Sequence, residues 1–117
     1  MEIVLLSNDL MVISRVTGAV AASGATLRVA ASAAAAAAHF SERPAEMVVV
    51  DLGLPDLELE SLVSNVKSNA EHLVRVVAFG PHVHVERLAS ARSAGCDVVM
   101  SRGQFFTQVD AMMSDVL

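Results

Sequence analysis

One stretch limits the folds open to this chain more than any other: the apolar run 47–50, Met-Val-Val-Val, which ends on Asp51. Because the run is continuous rather than alternating, it is typical of a strand buried on both faces, as in the middle of a parallel sheet. Asp51 then lies at the carboxyl end of that strand, where open α/β sheets place their sites. Gly53 and Pro55 form the exit loop, and Gly53 lets backbone come close to whatever binds at Asp51. The simpler interpretation is that Asp51 caps the next turn.

Apolar runs alternate with segments of helical spacing along the rest of the chain. The predicted strands span residues 3–6, 26–29, 47–50, 73–79 and 98–100. The predicted helices span residues 33–38, 58–67, 83–94 and 105–116, with one more that begins near residue 10 and ends before Gly24. This alternation predicts a single α/β domain over residues 1–117. Right-handed crossovers and a central third strand predict a flavodoxin-like (βα)5 three-layer sandwich with the parallel order 2-1-3-4-5.

Composition excludes several classes of protein. A hydrophobic fraction of 54% with a net charge of −5 predicts a folded domain and argues against non-specific nucleic-acid binding. The single Cys96 excludes an internal disulfide and a zinc site built from cysteines; we expect it to fill space in the core. Because no apolar run approaches ~18 residues, we expect no membrane span. The N-terminal run lacks the basic segment of a signal peptide, so we expect a cytoplasmic protein.

With the strands placed, the chain resembles a receiver domain of bacterial two-component response regulators over essentially its full length. The segment Asp51-Leu52-Gly53-Leu54-Pro55 resembles the phosphoacceptor segment of that family, and Ala94-Gly95-Cys96-Asp97 resembles the motif before the fifth strand. The resemblance implies that Asp51 is phosphorylated with bound magnesium. It also implies that phosphorylation shifts the helix 4–strand 5–helix 5 face and so changes partners, such as a histidine kinase or another signalling protein.

The chain departs from the family at the positions that carry this chemistry. Ser7 and Asn8 fall where the family has two acidic residues. Gly80 falls where it has a Ser or Thr, and so brings no hydroxyl. Arg102 falls where it has a Lys; the positive charge is kept, and the guanidinium could pair with Asp51 or bind an anion bidentately. Two further departures affect the fifth strand and the loop after it: Val99 replaces a switching aromatic residue, and Gly103 replaces a Pro.

These replacements weaken the predicted metal site. Mg²⁺ needs oxygen ligands in near-octahedral geometry. The candidates are Asp51, Asn8, Asp9 and Gly53, but only the two aspartates are charged, so we expect a lower affinity for Mg²⁺. Asp9 also lies where the first helix begins, and its role as N-cap is the favoured interpretation.

Two histidines, His82 and His84, lie near the same edge of the predicted sheet. They could donate to an anion, bind a transition metal together with Asp51, or respond to pH. The favoured interpretation is that both are loop residues without a ligand.

The leading hypothesis is therefore a stand-alone pseudo-receiver, which keeps Asp51 but acts through protein–protein contact. The alternative is a working receiver, phosphorylated on Asp51 in the presence of Mg²⁺. A third hypothesis, a flavin or nucleotide module, is weaker because the loop 7–11 has no glycine with which to bind a phosphate. We expect no enzyme, since no Cys–His or Ser–His pair has a third member. We expect a protein partner on the helix 4–strand 5–helix 5 face, with a homodimer as one form, and no nucleic-acid or membrane partner.

Overall fold

A computed structural model describes residues 1–68 and 73–114. The strands are β1 (Glu2–Leu6), β2 (Thr26–Ala30), β3 (Met47–Asp51), β4 (Arg75–Gly80) and β5 (Val98–Ser101). The helices are α1 (Leu10–Ser23), α2 (Ala33–Glu42), α3 (Leu59–Ser68), α4 (Val85–Ser93) and α5 (Arg102–Ser114). No helix in these two ranges has both the length and the apolar composition to cross a bilayer.

The strands form one parallel sheet in the order β2-β1-β3-β4-β5. In the central strand, Val48 lies beside Val4 of β1 and Val76 of β4. All five residues of β3 are buried, because helices cover both faces of the sheet. The predicted flavodoxin-like fold and its strand order are therefore confirmed.

Alternate residues of β3 enter two separate cores. Met47 and Val49 contribute to the core that α1 and α5 cover. Val48 and Val50 contribute to the core that α2, α3 and α4 cover. Asp51 follows at the carboxyl end of the same strand and is buried.

The caps of the first two helices follow the sequence. Ser32 accepts a hydrogen bond from the amide of Ala35 at 3.1 Å and so begins α2. Gly24 ends α1 with φ +78°, a left-handed conformation that favours glycine.

The second helix extends beyond its predicted end at residue 38 and runs to Glu42. A buried cation explains the extension. Arg28 of β2 donates to the carbonyl oxygens of His39 and Arg43 at the end of α2. Positive charge at a helix C-terminus is favourable, because the free carbonyl groups point there.

Strand β4 and helix α4 both begin later than predicted. Leu73, predicted to open the fourth strand, is 97% exposed, and the strand starts at Arg75. Helix α4 starts at Val85 rather than at residue 83. A turn precedes it, in which the amide of His84 donates to the carbonyl of Pro81 at 2.9 Å.

The fifth helix begins three residues before its predicted start. Ser101 and Gln104 cap it reciprocally: the Gln104 side chain accepts from the Ser101 amide at 2.9 Å, and the Ser101 hydroxyl accepts from the Gln104 amide at 3.2 Å. This is the capping box expected of Ser-x-x-Gln. The predicted helix positions 115 and 116 lie outside the described residues.

Candidate functional site

Asp51 is buried at the carboxyl end of β3, with 4% of its surface exposed. One carboxylate oxygen, Oδ2, accepts a hydrogen bond from the hydroxyl of Ser7 at 2.7 Å. The other, Oδ1, accepts from the amide of Gly53 at 2.9 Å. In residues 1–68 and 73–114, no Lys or Arg forms an ion pair with Asp51. Two uncharged donors therefore stabilise this carboxylate.

Ser7 makes a direct contact where the resemblance implies an acidic residue. It is fully buried after β1, and its amide donates to the carbonyl of Ala30 at 3.0 Å. Its hydroxyl donates to Asp51 and accepts from the amide of Asp9 at 3.1 Å. A second carboxylate at this position would repel Asp51 unless a cation lay between them, whereas a hydroxyl needs none.

The group that lies close to Gly53 is the side chain of Asp51 itself. A Cβ on Gly53 would lie 3.0 Å from Oδ1 of Asp51. Any side chain at residue 53 would therefore press against the carboxylate and disturb the hydrogen bond from the backbone amide.

Of the two roles considered for Arg102, the ion pair with Asp51 is not formed, because Arg102 pairs with Asp9. Its Nη2 lies 2.7 Å from Oδ2 of Asp9, and one third of each side chain is exposed. The guanidinium also lies 5.3 Å from the centre of the Phe106 ring, within the range of a cation–π contact. Arg102 thus contacts the N-cap residue of α1 and an aromatic ring, and it makes no ion pair with Asp51.

Asp9 is the N-cap of α1, as favoured from the sequence. Its Oδ1 accepts from the amides of Met11 and Val12 at 2.9 and 3.4 Å. The hydrogen bond from Arg102 lowers the pKa of Asp9 below the ordinary value, and the two backbone amides add to this. Partial burial acts in the opposite direction. Asp9 therefore belongs both to the start of α1 and to the edge of the site.

Gly80 brings no hydroxyl, and a side chain there would begin in close contact with Leu52. A Cβ on this buried glycine would lie 3.3 Å from Cβ of Leu52 and 3.8 Å from Cδ2 of Leu88. The guanidinium of Arg87 also donates to the carbonyl oxygen of Leu52 at 2.7 Å, which holds this loop in place.

The candidate magnesium ligands are either exposed or engaged in other contacts. Asn8 is exposed. Both oxygens of Asp51 already accept hydrogen bonds, and the Oδ2 of Asp9 is paired with Arg102. Among the described residues, no group of three or more His, Cys, Asp or Glu side chains is arranged to hold a metal. The amide of Gly53 donates to Asp51.

The two histidines remain outside the site. His82 and His84 are both exposed. His84 precedes α4 as its N-cap, and its side chain makes no capping hydrogen bond there. Within the described part of the chain, neither imidazole forms a hydrogen bond or an ion pair.

Asp97 connects β4 to the start of β5, a structural role that the sequence did not predict. Its carboxylate accepts from the amide of Val76 and from the ammonium of Lys67, both at 2.7 Å, while its own amide donates to the carbonyl of Val76 at 2.8 Å. Burial opposes ionisation, yet the hydrogen bonds from Lys67 and Val76 hold the pKa of Asp97 below its ordinary value. Gly95, with φ +99°, makes the turn that brings Asp97 to β4. The segment 94–97 thus fixes the start of β5.

No family model and no curated protein matches the chain. Solved structures do. The receiver domain of NtrX from Brucella abortus is 20% identical, with a TM-score of 0.75 over 98% of this chain and 99% of that one. CheY4 of Vibrio cholerae, a chemotaxis response regulator, is 12% identical, with a TM-score of 0.80 over 99% and 98% of the two chains.

The receiver domain of TorR, the response regulator of the TMAO respiratory system, is 15% identical, with a TM-score of 0.79 over 99% and 98% of the two chains. A longer structure of NtrX is matched over 97% of this chain, which spans only 27% of that protein. The chain therefore has the fold of response regulator receiver domains, as the sequence predicted.

Proposed function

We propose that this protein is a receiver-like signalling module that acts through protein–protein contact and without phosphorylation of Asp51. One observation carries the proposal. Both oxygens of Asp51 accept hydrogen bonds from uncharged groups, while the neighbouring cation, Arg102, is bound to Asp9. The fold supports the signalling class, and the site supports the loss of phosphotransfer.

The electrostatics of phosphoryl transfer explain why this arrangement matters. Catalysis of that reaction depends on positioning and on cations that offset the charge of the transferred group. Here Asp51 has no ion-pair partner among the described residues. To reach a phosphoryl group on Asp51, Arg102 would have to leave Asp9. Gly80 offers no hydroxyl, and Leu52 and Leu88 fill the space around it.

We propose the α4–β5–α5 face as the contact surface for a protein partner, such as a kinase or another signalling protein. This part of the proposal comes from the resemblance to receiver domains. Two large apolar side chains support it, since Val83 and Val85 are 67% and 68% exposed near the start of α4. The partner could also be a second copy of this chain, and we propose a cytoplasmic setting without an enzymatic activity of its own.

Incubation with acetyl phosphate and Mg²⁺, followed by intact mass measurement, tests the proposal. We expect no phosphoryl adduct, whereas a receiver domain with both acidic residues and the lysine serves as the positive control. An adduct that forms on this chain and is absent from Asp51→Asn would overturn the proposal.

The alternative function, a Mg²⁺-dependent phosphorylated receiver, is favoured by the placement of Asp51 at the end of the central strand. Beryllofluoride with Mg²⁺ would then shift the amide resonances of residues 80–103. If the spectrum is unchanged at millimolar Mg²⁺, this alternative is excluded. A partner that binds Asp51→Asn as tightly as the natural chain would show that the carboxylate is not the switch.

A further inference from the structure

We propose that Arg102 is the resident cation of this site: it takes the place of a divalent ion, excludes that ion, and joins α1 to α5 permanently. The inference rests on the proposed function and deepens it, because it states how the site is held in one state without a metal. It follows from the contacts of Asp9, Arg102 and Phe106.

The first step is that the two carboxylate oxygens of Asp9 have different partners. Its Oδ1 caps α1 through the amides of Met11 and Val12, and its Oδ2 binds Arg102, the first residue of α5. One carboxylate therefore connects the first turns of two helices that lie 93 positions apart along the chain. A charge-assisted hydrogen bond of 2.7 Å is among the stronger contacts of this kind.

The second step is the fixed position of the guanidinium. Its stem leaves the start of α5, where the Ser101–Gln104 capping box sets the helix. Its Cζ lies 5.3 Å from the centre of the Phe106 ring. Phe106 in turn meets Phe105 edge to face, with ring centres 5.9 Å apart. The cation therefore contacts both Asp9 and an aromatic ring.

A second ion pair also joins α1 to α5, with the cation on the other helix. Arg15 of α1 binds both carboxylate oxygens of Asp110 of α5, at 2.9 and 3.0 Å, and also donates to the carbonyl of Phe106 at 3.3 Å. One pair has its cation on α5 and the other has its cation on α1. Relative movement of the two helices would break both.

The third step is the exclusion of a divalent ion. To bind Asp9, Mg²⁺ would have to displace a guanidinium that lies 2.7 Å from the oxygen it needs. Mg²⁺ loses its water reluctantly, whereas a guanidinium is weakly hydrated and always charged. The nearby carboxylate, Asp51, gives its oxygens to Ser7 and Gly53.

Amide NMR titration of the full chain with MgCl2 tests the inference, with Arg102→Gln as the main variant. We expect no saturable shift at residues 7–9 or 51 in the natural chain. In Arg102→Gln, the resonances at the start of α1 should move before any metal is added, and saturable Mg²⁺ shifts at residues 8 and 9 should appear. Saturable Mg²⁺ shifts at these residues in the natural chain would overturn the inference, as would a variant that gains no response.

Three control variants locate the effect. Arg102→Ala removes the charge as Arg102→Gln does and should gain the same Mg²⁺ response. Arg15→Gln breaks the other pair and should stay insensitive to Mg²⁺. Asp9→Asn combined with Arg102→Gln should lose the gained response, and if it retains that response, Asp9 is not the group that Arg102 protects.

A second measurement keeps the test independent of metal binding and of any one variant. Urea unfolding of Asp9→Asn, Arg102→Gln and the double variant gives the coupling between the two side chains. We expect a favourable coupling that weakens in 1 M NaCl, because salt screens exposed charges. Zero coupling at low salt would overturn the inference.

The acetyl phosphate experiment separates this inference from the proposed function. Phosphorylation of a chain that shows no Mg²⁺ response without the donor would overturn the function alone. Saturable Mg²⁺ binding without phosphorylation would overturn the role of Arg102 alone.

Discussion

Helices α4 and α5 both begin at the edge of the sheet that carries Asp51, yet the structure holds them very differently. The reciprocal Ser101–Gln104 cap starts α5, and α5 buries a long apolar set against the sheet. That set consists of Phe105, Val109, Met112 and Met113. Two Arg–Asp pairs then join α5 to α1. This helix is fixed at its start, along its buried face and through its neighbour.

Helix α4 has few of these contacts. It buries only Leu88 and Ala91, and His84 precedes it without a side-chain capping bond. Val85, in its first turn, is 68% exposed. In the proposed contact face, α5 is therefore held by many contacts and α4 by few. We therefore expect a partner to reorganise α4 while α5 stays in place.

The largest effect should come from the core contact of α5. Phe105→Ala removes a fully buried ring that stacks on Phe79 with centres 4.1 Å apart, and should lower the free energy of unfolding by about 3–5 kcal/mol. Leu88→Ala, the equivalent truncation in α4, should cost about 2 kcal/mol, at the low end for a buried leucine. Urea denaturation measures both, with the exposed Gln108→Ala as control. Equal losses of unfolding free energy in the two variants would show that α4 and α5 are held equally well.

Hydrogen exchange should show the same contrast without a mutation. The amides of α4 should exchange faster than those of α5, because a helix with few buried contacts opens locally at a lower free energy. Mass spectrometry or NMR at neutral pH measures the two rates. If α4 exchanges as slowly as α5, then the missing cap and the short apolar face do not weaken it.

Substitutions at the helix caps should change the free energy of unfolding by a smaller amount, with a loss at α5 and a gain at α4. Ser101→Ala removes the cap of α5 and should cost about 1 kcal/mol. His84→Ser supplies a capping hydroxyl to α4 and should raise stability by about 0.5–1 kcal/mol. His82→Ser, an equivalent change outside the helix, is the matched control for urea unfolding. A stabilisation by His82→Ser as large as that by His84→Ser would show that the effect is not a cap.

The smallest effect should be the acid sensitivity of the α1–α5 contact. Arg102 and Arg15 lower the pKa of Asp9 and Asp110 below the 3.8 of an ordinary aspartate. A lowered pKa in the folded state contributes stability that is present above 3.8 and is lost as the pH falls through the folded value.

The variant Asp9→Asn keeps a capping side chain but removes the charge. Its urea midpoint should therefore fall less between pH 5 and pH 3, about the range in which aspartates titrate, than that of the natural chain. An unchanged dependence on pH would show that the charge of Asp9 contributes nothing to stability.

The features that the sequence predicted correctly are those set by local signals. The buried run 47–50 placed Asp51 at the centre of the sheet, and Ser32 and Asp9 lie where caps are preferred. The start of α5 was missed although a local Ser-x-x-Gln signal sets it, and the other boundaries failed where packing or a residue far along the chain decides them. Helix α2 runs past residue 38 because Arg28 binds its end, and Leu73 is apolar yet exposed.

The order of the strands brings residues 7, 51 and 102 to one edge of the sheet, but the sequence did not predict which of them pair. The prediction from the residue types at 7, 80 and 102, that phosphotransfer is lost, stays a prediction. Whether Arg102 meets Asp51 or Asp9 depends on the direction of a long side chain across the sheet edge, which spacing alone does not determine. That Leu52 fills the space beside Gly80 depends likewise on packing between two strand ends.

The distance along the chain between α1 and α5 also bears on synthesis. Asp9 and Arg102 are separated by 93 positions, and the core that covers Val12 and Val16 includes Phe105 and Val109. During synthesis on the ribosome, the apolar side of the first helix that the fifth helix covers therefore stays exposed until the fifth helix has left the exit channel. A nascent chain that stalls before that point would present this uncovered surface to chaperones, since exposed apolar surface is what makes partly folded chains aggregate.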